Sequence, residues 1–140
     1  MSETGTAPGG STGGRADVEL RLPADSAYAS VLRTTTAGLA ARLDFTIDDI
    51  EDLRIAVGEA NAMVLPEADP GSDLTCEFFL SPGELRIAVS VAATQALAPD
   101  YDSFAWQVLS TLATSATAES RGGRFVVTMT MKSTAGEPGV

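Results

Sequence analysis

Four stretches of this chain repeat apolar residues at every second position, and that one-sidedness constrains the architecture more than any other feature. Val18-Glu19-Leu20-Arg21-Leu22 is the first. Leu74, Cys76, Phe78 and Leu80 share one side of the second, and Leu85, Ile87, Val89 and Val91 repeat the pattern after Pro82-Gly83. Phe125, Val127, Met129 and Met131 form the fourth. A period of two puts all apolar side chains of a strand on one face. The alternate positions include Glu19, Arg21, Glu77, Arg86, Ser90, Thr128 and Thr130, so the other face is expected to be wet.

A sheet with one dry face needs a cover, and three segments with helical spacing supply it. The first starts near Ser26 and carries Tyr28, Val31, Leu32, Leu39 and Leu43, with Tyr28 expected in the core. Thr46 and Asp49 form a capping box for the second, which bears Ile50, Leu53, Val57, Ala60 and Val64 and ends at Pro66. The third starts near Ser103, with Phe104, Val108, Leu109, Leu112 and Ala116 inward. Arg121-Gly122-Gly123 then breaks the chain before the last strand. The order β-α-α-β-β-α-β forbids a doubly wound parallel sheet. The expected class is α+β, a two-layer sandwich with a mixed, mainly antiparallel sheet and helices on one face.

Composition narrows the function. The chain has 140 residues and a net charge of −10, and Lys132 is its only lysine. Phosphate backbones need clustered cations, so a nucleic-acid partner is not expected. The acidity fits a basic protein partner, or serves solubility alone. Histidine is absent and Cys76 stands alone, which excludes an internal disulfide, His-based metal sites and Ser/His/Asp triads. Cys76 lies in an alternating apolar stretch and belongs in the core. No long apolar run appears, so neither a membrane span nor a signal peptide is expected, and the localisation is expected to be cytoplasmic. Residues 1–16 and 135–140 have the composition of disordered tails, which leaves 17–134 as the folded unit.

The segment Ile50-Glu51-Asp52-Leu53-Arg54-Ile55-Ala56-Val57-Gly58-Glu59-Ala60, preceded by Leu43-Asp44-Phe45-Thr46, resembles the second helix of bacterial anti-sigma factors of the RsbW/SpoIIAB type. These are serine kinases of the GHKL (histidine-kinase-type) ATPase superfamily. The element order resembles theirs over about residues 17–133. In that family the helix carries Glu-x-x-x-Asn, with the glutamate as general base and the asparagine as ligand of the Mg²⁺ held by nucleotide phosphates. By resemblance the glutamate here is Glu59, and the asparagine position holds Met63. A thioether is a poor ligand for a hard cation. Asn61 is displaced by about 200° around the helix and does not substitute. The adenine-reading aspartate of the family corresponds to Val91, and no glycine follows at Ala92 or Ala93. Ser103-Phe104-Ala105-Trp106-Gln107-Val108-Leu109 lacks the glycines of a phosphate lid.

Three nucleotide contacts missing together imply a pseudo-kinase that binds neither ATP nor Mg²⁺, similar to degenerate actinobacterial members. The resemblance then implies an alternative sigma factor as partner, a competing anti-anti-sigma protein of the STAS class, and a homodimer. An active serine/threonine kinase with unusual motifs, or a small-molecule sensor on the same fold, are the alternatives. Arg33 matches a family arginine that contacts sigma factor and antagonist; its plain reading is a surface salt bridge. Trp106 lies off the third helix's stripe and suits either an interface anchor or a cover for the old nucleotide cavity. Glu59 is a relic base or an ordinary solvated residue. The Asp48-Asp49-Glu51-Asp52 cluster complements the helix dipole rather than holding a cation.

Overall fold

A computed structural model describes residues 14–95 and 98–135. Most of the two expected tails, and part of the expected loop from Thr94 to Asp102, lie outside the described residues. The chain runs β1 (Val18–Pro23), α1 (Ala29–Arg42), α2 (Ile47–Val64), β2 (Asp73–Ser81), β3 (Glu84–Ala92), α3 (Phe104–Leu112), β4 (Ser115–Arg121) and β5 (Arg124–Lys132). Five strands make one sheet in the order β1-β2-β3-β5-β4, and every pairing is antiparallel. The sheet is therefore not mixed: β2–β3 and β4–β5 are hairpins, and the neighbours joined through helices, β1–β2 and β3–β5, also run antiparallel.

The four expected strands keep their inward rows, while Ser90 and Val126, paired across β3 and β5, are buried on the other face. Cys76, Phe78, Ile87, Val89, Val91 and Val127 are fully enclosed beneath the helices. Burial pushes the Cys76 thiol up to about 12, which makes it an inert core residue. The helices add Leu32 from α1, Leu53, Val57, Ala60 and Val64 from α2, and Leu109 from α3. Each such leucine or valine contributes about 1.5–3 kcal/mol on leaving water. Helix α2 packs against both α1 and α3 and holds the centre of the helix layer. Among the described residues no helix is long and apolar enough to cross a membrane.

Three expectations fail, each for a physical reason. Tyr28 and Val31 are exposed rather than core. A single 3₁₀ turn, Ser26–Tyr28, precedes α1, and the buried row is Leu32, Thr36 and Ala40. The Thr36 hydroxyl donates to the Leu32 carbonyl at 2.9 Å, so a polar residue sits in the core at little cost. Ala116 does not extend α3: the helix stops at Leu112 and residues 115–121 form β4, a strand along the sheet edge. Gly122 and Gly123, at φ 59° and 76°, make the two-residue turn that pairs Arg121 with Arg124. Both positions require positive φ, which glycine adopts without a Cβ clash. Phe104 is the third failure. It stands 76% exposed at the start of α3, while Leu109 is the residue that helix buries completely.

Candidate functional site

Helix α2 and the start of α3 build the region in which the motif residues were expected. The Thr46 hydroxyl accepts from the Asp49 backbone N–H at 3.1 Å and starts α2. Glu59 and Met63 follow one turn apart and half-buried, on the flank of the helix that faces α3. Glu59 makes no hydrogen bond or ion pair among the described residues. Met63 packs against the core and borders a cavity of about 280 Å³. Ala62, Glu67, Ala98, Pro99, Asp100, Ser103, Ala105 and Phe125 complete its wall. That lining holds two carboxylates and no cationic group. Its one hydroxyl is engaged, since Ser103 Oγ accepts from the Trp106 N–H at 3.1 Å and caps α3.

The other expected pocket residues do not reach this cavity. Val91 is completely buried within β3, paired with Leu74 on one side and Phe125 on the other. Ala93 is also buried, and its N–H donates to the Gly123 carbonyl at 2.8 Å. The exit of β3 is closed instead by Asp69. Its N–H donates to the Ala92 carbonyl at 2.7 Å, and its carboxylate accepts from the Thr94 N–H and hydroxyl at 3.1 and 3.2 Å. Asn61 is buried away from the Glu59–Met63 flank, and its Oδ1 has no hydrogen-bond partner among the described residues. Nothing in the sequence pattern singled out Asp69, Glu67 or Asp100, which lie in connecting segments without periodicity.

Arg33 and Trp106 are not brought together. The Arg33 stem lies across Gly58 of α2, where an added Cβ would sit 3.7 Å from its Cδ, an ordinary contact. Arg33 makes no ion pair among the described residues; it is half-buried, and its Nη1 lies over Gly58 as well, 3.8 Å from where that Cβ would sit. Trp106 is partly buried against the core, edge-on to Tyr101 at 5.0 Å between ring centroids. The Tyr101 hydroxyl donates to the Ala118 carbonyl at 3.1 Å, which ties this aromatic pair to β4. Other apolar groups of α3 reach solvent at a groove shared with α2. Phe104, Val108 and Leu112 of α3 form, with Ile55 of α2, an open groove of about 410 Å³.

The acidic start of α2 divides into two environments. Asp48 and Glu51 are exposed, with Glu51 3.8 Å from Arg54. Asp49 turns inward, and its Oδ2 accepts from the Thr134 N–H and hydroxyl, each at 2.9 Å. Burial alone would raise the Asp49 carboxyl, but the bonds from Thr134 and Thr46 outweigh it and hold the group below its ordinary value. The contact fastens the chain after β5 to the start of α2. Among the described residues no group of three or more Asp, Glu, Cys or His side chains is placed to hold a metal ion.

No family model matches the chain. A serine-protein kinase RsbW of Halalkalibacterium halodurans is 40% identical over 74 residues, which is 52% of this chain and 46% of that protein. An RsbW of Bacillus cereus is 34% identical over 88 residues, covering 61% and 53%. A solved chain carrying the RsbU and RsbW domains of a Mycobacterium tuberculosis protein superposes with a TM-score of 0.64 over 83% of this chain and 31% of its own length, at 16% identity. Over about half its length the chain is similar in sequence to RsbW proteins, and it shares a fold with a chain that carries an RsbW domain. It spans about half the length of the RsbW relatives it matches. The expected α+β sandwich with helices on one face is thus the fold that an RsbW-bearing protein also shows.

Proposed function

We propose that this chain acts in the cytoplasm as an anti-sigma factor that holds an alternative sigma factor by surface contact and performs no phosphoryl transfer. The observation that carries the reading is the lining of the cavity beside Met63. Glu67 and Asp100 present carboxylates there, and no cation faces them. Phosphate oxygens would be repelled, and a volume of about 280 Å³ falls just below the usual range of ligand pockets, roughly 300–1,000 Å³. Met63 offers sulfur where a hard cation needs oxygen. Val91, sealed in the core, leaves no polar group to meet an adenine from β3. These residues do not suit magnesium-bound ATP, and no catalytic step is routed through it.

The similarity to RsbW supports the partner side of the proposal. A sigma factor would be released by a competing STAS-class protein, with the outcome set by relative affinities and concentrations rather than by ATP consumed on this chain. A homodimer is part of the same reading. Calorimetry with Mg-ATP, followed by incubation with labelled ATP and a STAS protein, tests the proposal. We expect no saturable heat and no labelled product. Submillimolar ATP binding or transfer of label to the STAS protein would favour the reading carried by the relatives' name, an active serine kinase.

A further inference from the structure

The groove between α2 and α3 is an apolar surface that the fold leaves unpartnered among its described residues. Phe104 and Val108 are one turn apart on α3, and Leu112 follows one turn later, so their side chains form a single row. Ile55, 46% exposed, faces that row from α2. Phe104 at 76% exposure is too large and too open to be explained by packing. A contiguous apolar row in a groove marks an interaction site more than a scattered surface residue does.

The charges around the groove identify what fits. Glu51 and Glu59 sit one turn either side of Ile55, with Asp52 beside them, and Asp102 lies just before α3; Gln107 and Thr111 complete the groove's lining. Arg54 is engaged with Glu51 at 3.8 Å. Carboxylates flanking an apolar floor repel anionic membranes, nucleic acids and a second copy of the same acidic groove. They attract a helix with an apolar stripe bordered by Lys and Arg. We propose that this groove docks a basic amphipathic helix of a protein partner, with apolar residues at i, i+3 or i+4 and i+7 against Phe104, Val108, Leu112 and Ile55. The proposal rests on the reading of the chain as a partner-holding regulator and assigns the chemistry of the segment it holds.

The test uses the full chain, labelled for NMR, with a synthetic Leu/Lys helix of that spacing and a Leu/Glu counterpart. The Leu/Lys peptide is expected to bind and to perturb residues around Ile55 and Phe104, with affinity falling as salt rises. Phe104→Ser and Ile55→Gln are each expected to weaken it about tenfold, and Ile47→Gln, an exposed site elsewhere on α2, to leave it unchanged. Thermal melts establish that the variants fold. Equal binding of the Leu/Glu peptide, perturbation centred on the sheet face, or undiminished binding by Phe104→Ser would overturn the proposal. So would a change in the oligomeric state of the chain alone on Phe104→Ser, which makes a second copy the occupant. Sigma-factor capture at full affinity by Phe104→Ser would sink the groove and spare the anti-sigma reading. Peptide docked here with no sigma factor bound would do the reverse.

Discussion

The inward and outward sides of the α2–α3 pair are built from the same kinds of residue and put to different uses. Inward, Leu109 and Leu53 are sealed against the sheet, and Asp49 is held by Thr134. Outward, Phe104 and Ile55 meet solvent, and Glu51 meets it beside them. Leucine and phenylalanine lower the folding free energy only where they leave water; a carboxylate is stabilised only where donors surround it. The contrast teaches that residue type along this pair does not separate structure from recognition, and that burial does.

Substitutions on the two sides sharpen that contrast. Leu109→Ala leaves a cavity beneath α3 and is expected to cost about 2–5 kcal/mol in denaturant unfolding. A loss below 1 kcal/mol would mean that α3 contributes little to the core. Asp49→Asn keeps the shape but removes the charge that the Thr134 donors face, at an expected cost of about 1–2 kcal/mol. Because the folded Asp49 carboxyl titrates below its ordinary 3.8, its contribution is complete above that value and fades as pH falls through the folded one. The gap between wild type and Asp49→Asn should therefore narrow in acid and stay constant toward neutrality. A gap that widened in acid would contradict the assigned bonds. Phe104→Ser, on the outward side, should change stability by no more than about 0.5 kcal/mol. A larger loss would show Phe104 packing that the fold does not reveal.

How much of this was legible in the sequence depends on the signal each element carries. The alternation of Val18–Leu22, Leu74–Leu80, Leu85–Val91 and Phe125–Met131 sufficed for four strands, because a one-sided strand has one register that buries its apolar set. Ser115-Ala116-Thr117-Ala118-Glu119-Ser120-Arg121 has no such set. Its residues are small or polar, as suits a sheet edge, and its pairing comes from the Gly122-Gly123 turn and the neighbouring strand. Helix α3 was legible in its start near Ser103, where the structure shows the cap, but not in its orientation. Phe104 and Leu109 point about 140° apart, and periodicity alone does not say which row turns inward. For the site, Glu59 and Met63 do share a flank of α2, but the carboxylates of Glu67 and Asp100 come from connecting segments that no periodic pattern marks.

Partner capture without nucleotide is the most direct measurement. The full chain, mixed with an alternative sigma factor from its own cell, should elute as a complex of fixed stoichiometry in light-scattering chromatography, with the same affinity whether Mg-ATP is present or absent. A complex that formed only with Mg-ATP, or one that dissolved as ATP was consumed, would contradict the account.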